Sequence, residues 1–304
     1  MQSAVLAGGL TFLPALRSLF AATSTPHLAF PTEPRERISI ASYPFRDFVA
    51  GREDTESTGK IALKDFAAHT SEKLNIKKIE PWSEHFHSLD ARYLGQIRSG
   101  VKAAGGAIVN IAVDGEHSPY AADKAERDKA VEFSKQWLDA AVLVGSPSIR
   151  TNIPKAKDSE PDVARAAESL SQVAEYASKK SVVVHLENDN PVSEDPFFIG
   201  KVIGKVNNPW LHALPDFGNS VAAKPAEYAY DGIKQMFSQA YGISHVKEIV
   251  SDEKGRTLHV DMAKTFGILK DAKYKGYCSM EFDSPGDPYK GTVDLIATTL
   301  KYLA

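Results

Sequence analysis

From Ile38 onward, short apolar runs alternate with longer amphipathic stretches, and the alternation repeats eight times. This rhythm constrains the fold more than any other feature. A strand, a helix and a second strand in succession place the two strands parallel, with helices covering the sheet. The strand-like runs are Ile38–Tyr43, Ile76–Glu80, Ala107–Val113, Ser146–Arg150, Val182–Glu187, Leu211–Asp216, Gly242–His245 and Gly276–Glu281. Helical stretches are expected at Ile61–Lys73, Leu89–Ala104, Lys124–Leu143, Asp162–Lys179, Pro196–Lys205, Glu227–Gln239, Asp261–Asp271 and Thr292–Leu303. Eight such units over about 270 residues match an α/β fold of the (β/α)8 TIM barrel type, built as a single domain. An open doubly wound sheet would carry a glycine-rich first loop, and Ser42-Tyr-Pro-Phe-Arg46 is unlike one.

The N-terminus departs from this rhythm. Met1 to Ala22 is apolar and rich in small residues, and Thr23-Ser-Thr-Pro26 follows. Residues 1–30 therefore read as a signal-like or disordered segment, Pro26–Arg37 as a linker, and residues 31–304 as the barrel. As a signal the run is imperfect, since no positive segment precedes it and Arg17 interrupts it, and it is too short and too broken for a stable membrane span. Export to a periplasmic or extracellular compartment is the expectation, with a cytoplasmic location as the alternative. A net charge of −3 gives no electrostatic case for nucleic acid. Cys278 is the only cysteine, which excludes an intramolecular disulfide and thiolate metal clusters.

Four consecutive runs end in a metal-loving side chain: Glu187, Asp216, His245 and Glu281. A barrel gathers the C-terminal ends of its strands around one mouth, so residues far apart in sequence can meet there. Alternation along a strand supports this. Val182, Val184 and Leu186 form an aliphatic face suited to helices, which turns Val183, His185 and Glu187 inward. The same parity groups Asp216 with His212 and Leu214, His245 with Ile243 and Lys247, and Glu281 with Tyr277 and Ser279. Three carboxylates and one imidazole make a hard donor set for one divalent ion: Mn, Mg or Co, with Zn possible.

The segments His185-Leu-Glu-Asn188, Pro215-Asp-Phe-Gly-Asn219, Ser244-His-Val-Lys247 and Met280-Glu-Phe-Asp283 resemble the sugar phosphate isomerase/epimerase group of the xylose isomerase-like TIM barrels. Ser42-Tyr-Pro-Phe-Arg46, Ile79-Glu80 and Ser148-Ile-Arg-Thr-Asn152 add to the likeness, which spans Ile38 to Leu303. The resemblance implies that Glu187, Asp216, His245 and Glu281 bind one metal, and that Glu187 and Glu281 exchange protons with a carbohydrate substrate. That chemistry is isomerisation or epimerisation by proton abstraction next to a carbonyl of a keto-sugar. Glu80, Arg150, Asn219, Lys247, Arg46 and His185 are candidate substrate contacts; Glu80 could instead orient a ligand, and His185 could be a core histidine. Many relatives carry His where this chain has Asn219, so the substrate can differ from theirs. Trp82, Phe86 and Phe217 could form an apolar wall for a sugar face.

Rival readings stay open. A lyase or dehydratase on a keto-sugar, keto-inositol or 3-keto-glycoside shares the first deprotonation. A non-catalytic carbohydrate-binding barrel shares the pocket. The three-zinc nucleases of the same superfamily need ligands that Pro81-Trp82, Asn110 and Asn219 do not supply. A retaining glycosidase would take carboxylates from strands four and seven, which here offer Arg150 and His245.

Overall fold

A computed structural model describes residues 25–54 and 59–304. Eight parallel staves close a barrel. They are β1 (Ile38–Ala41), β2 (Lys78–Glu80), a third stave split into β3 (Ala107–Ile108) and β4 (Ile111–Val113), β5 (Ser148–Thr151), β6 (Val183–Glu187), β7 (Leu211–Leu214), β8 (Ile243–Val246) and β11 (Tyr277–Met280). One ladder runs β3–β2–β1–β11–β8 and the other β4–β5–β6–β7. Single parallel bridges, Trp82 to Ala112 and Asp216 to His245, join the two ladders into a ring.

Helices α1 (Phe66–Leu74), α2 (Ala91–Ala103), α3 (Lys124–Val144), α4 (Val163–Lys180), α5 (Pro196–Val206), α7 (Ala226–Phe237), α8 (Met262–Asp271) and α9 (Pro288–Leu303) wrap the ring. Their apolar stripes make them stay. In α4, Ala166, Ala167, Leu170, Val173, Ala174 and Ala177 recur at helical spacing and are all buried. Aspartates start six of these helices: Asp90, Asp123, Asp162, Asp195, Asp261 and Asp287 each accept a backbone N–H of the first turn. The main core lies between the staves and the helices, as the outward Val184 and Leu186 require. Inside the ring a small cluster of Val109, Leu214 and Ile243, with Tyr277 against it, fills the lower barrel. Above it the lining turns polar.

Three features were not expected. A short helix α6 (Asn219–Ala223) follows β7, and an antiparallel hairpin, β9 (Ile249–Ser251) with β10 (Thr257–His259), stands between β8 and α8. The Pro26–Arg37 stretch is not a free linker. Leu28 N donates to the Tyr241 hydroxyl at 2.9 Å, that hydroxyl donates to Pro26 O at 3.0 Å, and Phe30 packs edge-on against Tyr241 and Tyr277. Apolar side chains in this stretch cover the strand entrances, which explains its order. The signal-like run Met1–Ala22 lies outside the described residues. Among the described residues no helix is long and apolar enough to cross a membrane.

Candidate metal centre at the barrel mouth

Register explains how four distant residues meet. Glu187 ends β6 level with Leu214, Asp216 pairs with His245 across the closing bridge, and His245 is level with Ser279, two residues before Glu281. One potential ligand atom from each of Glu187, Asp216, His245 and Glu281 lies within 4.8 Å of the other three, and all four residues are buried. His245 sits at the centre. Its Nδ1 is 2.7 Å from Glu187 Oε1 and 3.0 Å from Glu281 Oε2, while its Nε2 is 3.0 Å from both oxygens of Glu80.

Each acid has its own support. Asp216 Oδ1 accepts the backbone N–H of Gly218 and Asn219, at 2.8 and 2.6 Å. Asn188 clamps the Asp216 backbone, its Oδ1 accepting that N–H and its Nδ2 donating to that carbonyl. Asp216 Oδ2 and Glu281 Oε2 are buried without a hydrogen-bond partner. Burying charged oxygens in this way is costly unless a cation serves them. Lys247 Nζ stands beside both, 3.3 Å from Glu281 Oε2 and 3.5 Å from Asp216 Oδ2.

The electrostatics follow from this crowding. Burial pushes Asp216 up to about 7, Lys247 opposing and Glu187 and Glu281 adding to the rise. Burial works against the imidazolium of His245, yet Glu187, Glu281 and Glu80 overcome it and raise its pKa well above the usual value. Burial would raise Glu281, but His245 and Lys247 hold it below the ordinary carboxylate range. A site that draws in positive charge so strongly, with two carboxylate oxygens lacking a hydrogen bond and no thiolate, fits a hard divalent cation.

The candidate substrate contacts separate by position. Lys247 and Asn219 sit at the cluster, joined by a 2.9 Å hydrogen bond from Nζ to Oδ1. Arg150 is buried beside it, its Nη1 donating to Asp114 Oδ1 and to the Val113 carbonyl, and its Nε 3.0 Å from Glu187 Oε2. Arg46 lies at the exposed rim, over the Tyr43 ring at 4.5 Å and 3.9 Å from Asp283. Glu80 is 1% exposed and lies behind His245, with Asn110 Nδ2 donating to it at 2.7 Å. His185 does not reach the mouth. It is fully buried at the level where β8 begins, its Nε2 accepting Gly242 N–H at 3.2 Å, so it is a core histidine. Phe86 and Phe217 are also core; Trp82 alone of the expected aromatic wall keeps partial exposure. Sequence reasoning missed Asp114 and Asn188. Asp114 carried a readable signal, a carboxylate directly after β4, the same cue that drew attention to the four cluster residues.

With this geometry in hand, comparison with known proteins decides the family. The profile of the xylose isomerase-like TIM barrels matches residues 70–302. The chain belongs to this family. Among solved structures, an L-ribulose 3-epimerase superposes with a TM-score of 0.69 at 18% identity, covering 88% of this chain and 95% of its own. An apo 3-keto-D-glucoside 4-epimerase from E. coli gives 0.64 at 14% identity, covering 86% and 98%. A xylose isomerase-like TIM barrel protein from Mycobacterium smegmatis, in complex with magnesium, gives 0.63 at 16% identity, covering 88% and 97%. At these identities the likeness establishes the fold. A search of curated proteins finds no match.

Proposed function

We propose that this xylose isomerase-like barrel is a divalent-metal-dependent isomerase or epimerase acting on a neutral carbohydrate. The convergence of Glu187, Asp216, His245 and Glu281 within 4.8 Å carries this reading. These four would hold the ion, with Glu80 orienting His245 from behind. When bound, a divalent ion would supply Lewis-acid stabilisation of negative charge developing on substrate oxygens.

The chain's own residues would move the proton. A C–H beside a carbonyl is weakly acidic, and a carboxylate that stays ionised at neutral pH can accept its proton. Glu281 meets that condition. Glu187 reaches the same Nδ1 of His245, so two carboxylates border one site, and one could remove the proton while the other returns one. Lys247 Nζ, beside Glu281, could hold a substrate oxygen. The neutral substrate follows from pairing. Arg150 already serves Asp114 and Glu187, Lys247 faces Asp216 and Glu281, and Arg46 faces Asp283, so each is met by a carboxylate before any phosphate arrives.

The test is solvent-deuterium exchange into a panel of ketoses and keto-glycosides, with and without Mn(II). Metal-dependent label at a carbon next to the carbonyl, lost in Glu281→Gln, is the expected result. No label on any substrate with metal bound would overturn the catalytic reading.

A further inference from the structure

Beside the metal cluster, where β2 and β4 end, a cavity of about 460 Å³ opens between Trp82, Asp114, Phe133, Arg52, Glu84 and His117. That volume falls within the range of small-molecule sites. One ion pair separates it from the cluster: Asp114 lines the cavity, Arg150 holds Asp114, and the same guanidinium abuts Glu187. The cavity and the cluster are thus neighbours on the two sides of the Arg150–Asp114 pair.

The walls are built rather than incidental. Trp82 Nε1 donates to Asp114 Oδ2 at 2.6 Å, and the indole also meets Tyr43 and His85 edge-on at 5.1 and 5.3 Å. Phe133 is seated through Gly115, where a Cβ would stand 2.8 Å from its ring. Gly115 is itself fixed by Asn152, whose Oδ1 accepts its N–H at 2.9 Å. Trp82 and Phe133 both keep partial exposure, which supplies apolar surface to a ligand. Carboxylates at Asp114, Glu84 and Glu116 supply acceptors for hydroxyls. The lining suits no anion. Arg52 is 3.3 Å from Glu84, and His117 is 2.7 Å from Glu126. Aromatic faces with acceptors, and cations already paired, suit a sugar ring, apolar on its C–H faces and hydroxylated at its edge.

We propose that this cavity is a second sugar subsite, so that the substrate is a glycoside: its reacting ring at the cluster and its attached ring against Trp82 and Phe133. This rests on the carbohydrate reading of the cluster. Equilibrium binding to the full, metal-free chain separates the two. Cellobiose, maltose, lactose and sucrose, and their component monosaccharides, would be titrated by calorimetry. At least one disaccharide should bind tenfold or more tighter than its components. Phe133→Ala should erase that advantage and Phe133→Leu reduce it, while Mn(II) affinity stays within twofold in both. Equal affinity for disaccharides and monosaccharides, or an advantage indifferent to Phe133, would overturn the subsite. Failure of proton exchange alone would overturn the catalytic reading and leave the subsite standing.

Discussion

Both oxygens of Glu80 lie 3.0 Å from Nε2 of His245, and Asn110 Nδ2 grips one of them at 2.7 Å. A ligating histidine whose far nitrogen is held by a carboxylate keeps one tautomer and one ring orientation. Glu80→Gln keeps the shape and removes the charge. It should weaken Mn(II) binding by about 10- to 100-fold while the fold persists. Titration calorimetry on the purified variant reads this directly, and unchanged affinity would assign Glu80 to something other than ligand orientation. The four cluster residues were legible in the sequence because strand parity and strand ends fix which side chains face the mouth. Asn188 and Asn110 were not, because their partners sit on neighbouring staves. Which residue faces which across a ladder depends on register, and local sequence does not carry it. His185 shows the complementary limit: parity leaves it open as a mouth residue or a core histidine, and its depth along the stave, against Gly242, settles on the core.

Helix α2 carries a matched pair of glycines that measures how closely elements pack around the barrel. A Cβ at Gly100 would lie 2.1 Å from the Lys64 carbonyl oxygen in the turn Leu63–Asp65, whereas nothing lies within 4 Å of one at Gly95. Backbone cannot move aside as a side chain can. Gly100→Ala should cost about 1–3 kcal/mol through overpacking. Gly95→Ala should stabilise by about 0.5–1 kcal/mol through lost freedom in the unfolded chain. Thermal unfolding of the two variants, run side by side, should move the midpoint in opposite directions; a shared direction would mean that helix propensity, not the Lys64 contact, dominates. Helices of this length were readable because apolar period and aspartate caps agree. The β9–β10 hairpin was not, although Asp252 and a left-handed Gly255 mark its turn. It lies outside the βα rhythm, so the pattern that revealed the staves gave no reason to look there. The Pro26–Arg37 stretch was misread for a related reason: its composition is that of a linker, and only Tyr241 and Tyr277 on the barrel floor give Phe30 somewhere to pack.

Across the whole molecule, buried titratable groups pull stability in opposite directions with pH. Burial lowers His85 to about 4, with Lys60 adding to the drop and nearby Asp54 opposing it. It also lowers His185 to about 3. Both imidazoles stay neutral in the fold, while the unfolded chain takes their protons near pH 6.5. Their stability is therefore full above pH 6.5 and is lost as pH falls toward 4 and 3. Glu194 acts the other way. Burial and the charge of Asp189 push it up to about 8, so the folded chain holds a proton that the unfolded chain releases near 4.5, and stability declines as pH rises between the two. The raw stability curve mixes these effects, and a variant difference isolates one. His85 is held through Nδ1 by Ser42 Oγ at 2.7 Å, so His85→Gln can keep a polar partner there. Between pH 7.5 and pH 5 the native chain should lose about 2 kcal/mol more than His85→Gln, from the separation of the folded and unfolded pKa values. Urea unfolding of metal-free protein at the two pH values measures it. Parallel losses in both chains would mean that His85 takes up its proton without unfolding.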